Sequence, residues 1–166
     1  YATIDVGGGS TEIALGDAQH VYFTKSYPAG AVRMQDMSQE GPQRVWEETV
    51  HMWDELPITG TFGEFIGIGG TATSLAAIDL QMESYDPKRI QGHRLDRGTI
   101  EAMVLQLRYM SREERLQVKG LQPGRVDIIV PGAEIITSLM DTYQIGSIVI
   151  SEADGLEGWQ SQYDGQ

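Results

Sequence analysis

Asp5-Val6-Gly7-Gly8-Gly9-Ser10-Thr11-Glu12 joins a strand, a glycine turn and a second strand within eight residues. It closes an alternating run, Ala2-Thr3-Ile4-Asp5-Val6, which has the period-2 pattern of a half-buried strand. Three glycines break the run, and Thr11 to Leu15 resumes it. Strand, glycine turn and returning strand predict an antiparallel hairpin. Val21 to Thr24, beyond a Gly16-Asp17 turn, adds a third strand to make a meander. Consecutive glycines admit positive φ and let the backbone approach a ligand closely. Successive N–H groups in such a turn form a concave anion nest. Gly7, Gly8 and Gly9 are therefore phosphate-binding candidates, and Ser10 and Thr11 add hydroxyl donors. Asp5 stands at the mouth of the turn, where a carboxylate can hold Mg²⁺ directly or through water. Glu12, on the returning strand, is the second candidate for the same metal and catalytic role. The strand register is not legible from the sequence, so whether the two acids share a face stays open. A hairpin with a purely structural glycine turn and solvated acids is the plainer alternative.

Working outward, Gly41-Pro42 marks a helix start with Pro at the first helical position. Val45, Trp46, Val50, Trp53 and Leu56 follow at helical spacing, and both tryptophans read as core. Glu64 to Ile68 predicts a strand ending in Gly69-Gly70, and Thr71 to Leu80 a helix. N–H groups at a helix start, with the helix dipole behind them, favour an anion. Gly69, Gly70 and Thr71 thus join the phosphate-binding candidates, although a tight turn that merely needs glycines explains the same residues. Ser84 to Leu95 reads as a polar loop in which Lys88, Arg89 and Arg94 form a small basic cluster. Asp96 caps a predicted helix through Met110, and Ser111-Arg112-Glu113-Glu114 is a capping-box pattern. Arg125 to Tyr143 predicts a helix kinked at Pro131, with a buried strand over Asp127 to Val130 as the alternative. Ser147 to Ile150 is the last strand, and Ser151 to Gly158 reads as a capped turn into a C-terminal helix, with acids brought toward the site as the alternative. The whole order predicts an α/β fold, a mixed five-stranded sheet flanked by helices. It suits the ribonuclease-H-like lobe used twice in actin-like ATPases.

Composition sets further bounds. Asp and Glu number 24 against 12 Lys and Arg, a net charge of -12. A field of that sign repels polyanions, which argues against nucleic-acid partners. A phosphate ligand must then find its positive potential in backbone N–H groups, a divalent cation or a further domain. The absence of cysteine excludes disulfides, thiolate metal sites and a thiol nucleophile, and fits a reducing cytoplasm. No apolar run approaches the ~20 residues of a membrane span. His20, His51 and His93 have no metal-ligand spacing. Because the first residues already read as a strand, the chain is expected to be one lobe cut from something longer.

Asp5 to Glu12 resembles the second phosphate-binding motif of the exopolyphosphatase / guanosine pentaphosphate phosphohydrolase (Ppx/GppA) family. Ala29-Gly30-Ala31-Val32-Arg33-Met34, the turn from Gly67 to Ala76, the loop from Tyr85 to His93 and the segment from Leu121 to Ile136 are similar to further family patterns. The resemblance implies two actin-like lobes with an Mg²⁺-dependent site between them. It implies hydrolysis of the terminal phosphate of inorganic polyphosphate, the favoured substrate, or of the 5′-phosphate of guanosine pentaphosphate. Residues 1–158 would be the second lobe and 159–166 a polar tail that frays. Asp5 and Glu12 match the metal-associated acids, and Gly7 to Ser10 the phosphate loop. The water-activating glutamate belongs to the first lobe, so no residue here takes that role. Ser151…Gly155-Leu156-Glu157-Gly158 is one residue shorter than the family's end pattern. Two other readings stay open: a lobe of an actin-like ATP-dependent kinase or ATPase, and a non-catalytic phosphate or (p)ppGpp sensor. Partners implied are the substrate, the chain's own N-terminal lobe and, as an open option, a second copy.

Overall fold

The computed structural model describes residues 1–39, 42–60 and 63–153. The alternating N-terminal residues form the predicted meander. β1 (Ala2–Val6) pairs antiparallel with β2 (Thr11–Gly16), and β2 with β3 (Val21–Tyr27). The chain then forms α1 (Ala31–Ser38), α2 (Pro42–Val50) and a 3₁₀ turn at Met52–Glu55. β4 (Phe65–Ile68) runs directly into α3 (Gly69–Asp79). After these come α4 (Pro87–Ile90), β5 (Arg94–Asp96), α5 (Arg97–Tyr109) and α6 (Arg112–Arg115). A 3₁₀ turn at Pro123–Arg125, α7 (Ile129–Thr142) and β6 (Ser147–Ile150) complete the described elements.

The strands make one mixed sheet in the order β3-β2-β1-β4-β6-β5. β4 is parallel to both β1 and β6, so the carboxyl ends of β1, β4 and β6 share one edge. The core lies on the sheet face that carries Ala2, Ile4, Val6, Ile13, Ile148 and Ile150. Leu75, Ala76, Ile100, Ile136, Leu139 and Met140 reach it from α3, α5 and α7. Trp53 anchors the α2 side: it is 0% exposed, its Nε1 donates to Ser138 Oγ at 2.9 Å, and it meets the Tyr27 ring edge-on at 5.2 Å. An aromatic buried in this way contributes several kcal/mol, about 3–5 by the usual cost of truncating one to alanine.

Three expectations change. The sheet has six strands, not five, because the Ser84 to Leu95 loop ends in a three-residue edge strand. In β5 only Leu95 points into the core, while Arg94 and Asp96 are exposed, and one apolar residue leaves no period to read. The helix over Arg125 to Tyr143 is not kinked: α7 begins at Ile129, which puts Pro131 in its first turn. First-turn N–H groups have no intrahelical partner, so a proline there interrupts nothing. The first helical bond runs from Gly132 N–H to Ile128 C=O, at 3.0 Å. The helical spacing through Leu56 is also split, with α2 ending at Val50 before the 3₁₀ turn. The Trp46 side chain lies outside the described residues, as do Gly41 and the tail. The capping box at Ser111 and Glu114 forms in both directions.

Candidate functional site

In open α/β sheets, ligands bind in the crevice at the carboxyl ends of parallel strands. Here that edge gathers Gly7 to Ser10 after β1, Gly69-Gly70 after β4 and Ser151-Glu152 after β6. The parallel pairing of Asp5 with Ile68 sets the two glycine turns side by side.

The first turn is held by its own carbonyls. Gly7 N–H donates to Ser10 C=O at 2.9 Å and closes the turn. Gly7 C=O accepts from Ala31 N–H at 2.8 Å, and Gly8 C=O from Val32 N–H at 3.0 Å and Arg33 N–H at 3.3 Å. The start of α1 is thus docked on the back of the loop. A Cβ on Gly30 would overlap Gly8 C=O, so the docking needs glycine at that position. In a trans peptide the C=O and the following N–H point in opposite directions. With the carbonyls of Gly7 and Gly8 turned onto α1, the N–H groups of Gly8 and Gly9 point outward. Neither has a hydrogen-bond partner among the described residues. The expected positive φ is absent: Gly7, Gly8 and Gly9 are not among the left-handed glycines of this fold.

β1 and β2 place the two acids together. Asp5 and Glu12 are direct cross-strand partners, so their side chains share a face, with Cβ atoms about 4.5–5.5 Å apart. Both line a depression of about 340 Å³, together with Thr3, Ala14, Ser26 and Ile68. Glu12 Oε1 accepts from Ser10 Oγ at 2.5 Å and Ser26 Oγ at 2.8 Å, which fixes its carboxylate beside the glycine loop. Like charges placed directly opposite are destabilising, and a cation between them removes the penalty. No group of three or more His, Cys, Asp or Glu that could hold a metal ion occurs among the described residues. Mg²⁺ needs no such cage, because it keeps several waters and binds through one or two carboxylates plus substrate phosphates. The Asp5–Glu12 pair fits that donor set.

The second turn is filled by the protein itself. Gly69 has φ +80, and a Cβ there would overlap Asp5 Oδ1. A Cβ on Gly70 would overlap the Arg125 guanidinium. Arg125 therefore lies on the first turn of α3, where the unpaired helical N–H groups are already partly positive. Its side chain makes no hydrogen bond or ion pair among the described residues. The Tyr85 phenol lies within electrostatic reach of Arg125 and donates to Glu152 Oε1. Burial, reinforced by that bond, pushes the phenol up to about 12.

Not every predicted residue faces this edge. Thr11 is 0% exposed and its hydroxyl donates to Ala29 C=O at 2.5 Å. Thr71 is also buried; its hydroxyl donates to Val6 C=O at 3.3 Å and packs where α3 crosses Gly132 of α7. Both hydroxyls are taken up by the fold, and the Ser10 hydroxyl is spent on Glu12, which narrows the outward-facing donors to the N–H groups of Gly8, Gly9 and the start of α3. Arg94 pairs with Glu64 at 2.6 Å on the β5 side, apart from exposed Lys88 and Arg89. Ser151 N–H donates to Gly67 C=O at 2.9 Å, and Glu152 N–H to Gln91 Oε1 at 2.8 Å, so Ser151 and Glu152 are tied down; the rest of the predicted capped turn lies outside the described residues. Arg125 and Tyr85 are the residues that site reasoning from the sequence missed. They stand 55 and 15 positions from Gly70 in the numbering, and no local pattern links them to it.

Comparison with known proteins identifies the family. The chain is 29% identical over 166 residues to the bifunctional 3-dehydroquinate synthase/phosphatase of Fusobacterium nucleatum, covering 93% of this chain and 24% of that protein. It is 28% identical to exopolyphosphatase 2 of Mycobacterium tuberculosis, covering 95% of this chain and 54% of that one. The crystal structure of the Aquifex aeolicus Ppx/GppA phosphatase superposes with a TM-score of 0.86 at 25% identity, over 95% of this chain and 54% of that chain. The chain thus spans about a quarter to a half of these relatives' length. Residues 1–159 match the Ppx/GppA phosphatase family, and the chain belongs to that family.

Proposed function

We propose that this chain is the phosphate-holding lobe of a Ppx/GppA-type phosphohydrolase. The carrying observation is the pair of outward N–H groups at Gly8 and Gly9 beside the adjacent carboxylates of Asp5 and Glu12. The favoured substrate is inorganic polyphosphate, with guanosine pentaphosphate as the second. Both offer a terminal phosphoryl group whose equatorial oxygens gain charge during transfer. The N–H groups of Gly8 and Gly9 donate to those oxygens, while the Ser10 hydroxyl holds Glu12 beside them. The start of α3, with Arg125 lying on it, receives the neighbouring phosphate. These fixed dipoles and one guanidinium supply positive potential within a chain of net charge -12.

Asp5 and Glu12 would hold Mg²⁺, which when bound neutralises phosphate oxygens. Glu12 is kept in place by the hydroxyls of Ser10 and Ser26, and Asp5 by its seat against Gly69. The base for the attacking water is assigned to a glutamate outside this chain. No described helix is long and apolar enough to cross a membrane. A cytoplasmic location is the setting that a cysteine-free chain and these substrates fit.

The test is phosphate release by the native protein that carries this chain, with Mg²⁺, offered long-chain polyphosphate and guanosine pentaphosphate in parallel. Release from either supports the reading and selects the substrate. Asp5→Asn should lower the rate on the order of a hundredfold or more. No release from a folded wild-type protein, or a rate indifferent to Asp5→Asn, overturns it and favours a sensor or an ATP-dependent relative.

A further inference from the structure

Glu12 uses its two carboxylate oxygens unequally. Oε1 accepts two hydrogen bonds, from Ser10 Oγ at 2.5 Å and Ser26 Oγ at 2.8 Å, whereas Oε2 has no partner among the described residues. A carboxylate oxygen offers two lone-pair sites, so Oε1 is filled and Oε2 is open. The two hydroxyls come from separate parts of the fold. Ser10 ends the glycine loop, which Gly7 N–H closes onto Ser10 C=O. Ser26 lies on the edge strand β3, directly opposite Glu12 in the β2–β3 register. Residues paired in this way have Cβ atoms about 4.5–5.5 Å apart, so a serine hydroxyl reaches the carboxylate without displacing either strand. Ser26 also lines the depression that holds Asp5 and Glu12. It is exposed, and the core does not need its hydroxyl.

We infer that Ser26 is a positioning residue that sets which divalent cation the site takes: together with Ser10 it restricts Glu12 to one coordinating oxygen and so selects Mg²⁺ over Ca²⁺. This rests on the proposed reading of the site, because it takes Glu12 as a metal ligand. Ca²⁺ accepts roughly six to eight oxygens in a flexible shell and readily takes both oxygens of one carboxylate. Mg²⁺ demands a tight octahedron, keeps several waters and is served by a single oxygen from each carboxylate. Two-oxygen binding by Glu12 needs Oε1, and Oε1 is free only if a serine lets go. The loop hydroxyl fills one of its lone-pair sites and Ser26 fills the other. Replacing Ser26 therefore opens the mode that favours the larger ion, while the glycine loop keeps its own contact with Glu12.

The experiment reads cation binding rather than turnover. Mn²⁺ is bound to the native protein that carries this chain and then displaced by Mg²⁺ or by Ca²⁺, followed through its electron paramagnetic resonance signal. Melting curves show that each variant is folded. Wild type should yield to Mg²⁺ at a lower concentration than to Ca²⁺. Ser26→Ala should move the ratio of the two midpoints about fivefold toward Ca²⁺, the scale of one hydroxyl–carboxylate hydrogen bond. Ser26→Thr keeps a hydroxyl at that place and should restore the wild-type ratio. A merely structural serine would weaken both ions alike and leave the ratio where it was. A wild type that prefers Ca²⁺, an unchanged ratio in Ser26→Ala, or a ratio that Ser26→Thr does not restore overturns the inference while Glu12→Gln still weakens Mn²⁺ binding. If Mn²⁺ does not bind, or binds equally well to Glu12→Gln, Glu12 holds no cation, and the metal part of the functional reading fails with the inference.

Discussion

The two glycine turns at the site edge look alike in sequence and differ in what occupies the space above them. At Gly69 and Gly70, the room left by the missing side chains is filled by Asp5 and Arg125, and Gly69 also needs its left-handed φ of +80. The protein's own packing accounts for both glycines. At Gly9 a Cβ would meet nothing within 4 Å, at Gly8 it would make an ordinary contact with Val32 at 3.4 Å, and neither has positive φ. The fold does not demand these two glycines. Their N–H groups are turned outward, which leaves room for the phosphate of the proposed function to approach the backbone. One turn is packed by Asp5 and Arg125; the other leaves its N–H groups open, and in the proposed function it is the turn that grips the transferred phosphoryl group.

Substitutions at the two turns should have opposite consequences. The largest effect is expected for Gly69→Ala. Forcing alanine into the left-handed region costs about 1–2 kcal/mol, and overlap with Asp5 adds a similar amount. Together this is about 3 kcal/mol, or a melting temperature lower by roughly 10 °C. If thermal melts show no loss, the second turn is not packed as described.

Gly9→Ala should do the opposite. Its stability should stay within about 0.5 kcal/mol of wild type, as for a surface change, while kcat/KM for phosphate release falls by roughly ten- to a hundredfold. A variant that is both less stable and normally active would erase the difference between the turns.

Glu12→Gln tests the facing carboxylates. It removes a like-charge pair, so the metal-free protein should gain a few tenths of a kcal/mol, while the stabilisation produced by added Mg²⁺ should shrink. Melting curves with and without Mg²⁺ check both signs.

The smallest effect concerns Tyr85. Its folded pKa is raised from 10.0 to about 12, so the neutral phenol is the form the fold prefers. The unfolded chain releases this proton from about pH 10, while the folded chain keeps it until about pH 12. The contribution is therefore present below pH 10 and lost as pH rises toward 12. Tyr85→Phe should flatten that part of the stability curve in urea titrations. Tyr27 and Tyr143, both also raised by burial, keep some slope in place.

Much of this could be read from the residues. The strand–glycine–strand pattern of Ala2 to Leu15 gave the meander, and the Gly69-Gly70 junction gave the strand-to-helix turn. What escaped is non-local. The facing of Asp5 and Glu12 depends on hairpin register, which a three-glycine turn does not specify by itself. The hydroxyls of Thr11 and Thr71 read as donors toward phosphate, but tertiary packing turned them onto Ala29 and Val6 carbonyls. The left-handed backbone belongs to Gly69 rather than to the glycine triplet, because α1 docks on the triplet's carbonyls and fixes it otherwise. Arg125 reaches Gly70 only because α7 and the turn before it fold back over α3.

The central claim is that the Gly8 and Gly9 amides bind phosphate in concert with Asp5 and Glu12. Amide ¹H–¹⁵N spectra of this chain, titrated with tripolyphosphate in the presence of Mg²⁺, address it most directly. The Gly8 and Gly9 resonances are expected to move downfield together and saturably, and Asp5→Asn to abolish the movement. Saturable shifts elsewhere, with Gly8 and Gly9 unmoved, would contradict it.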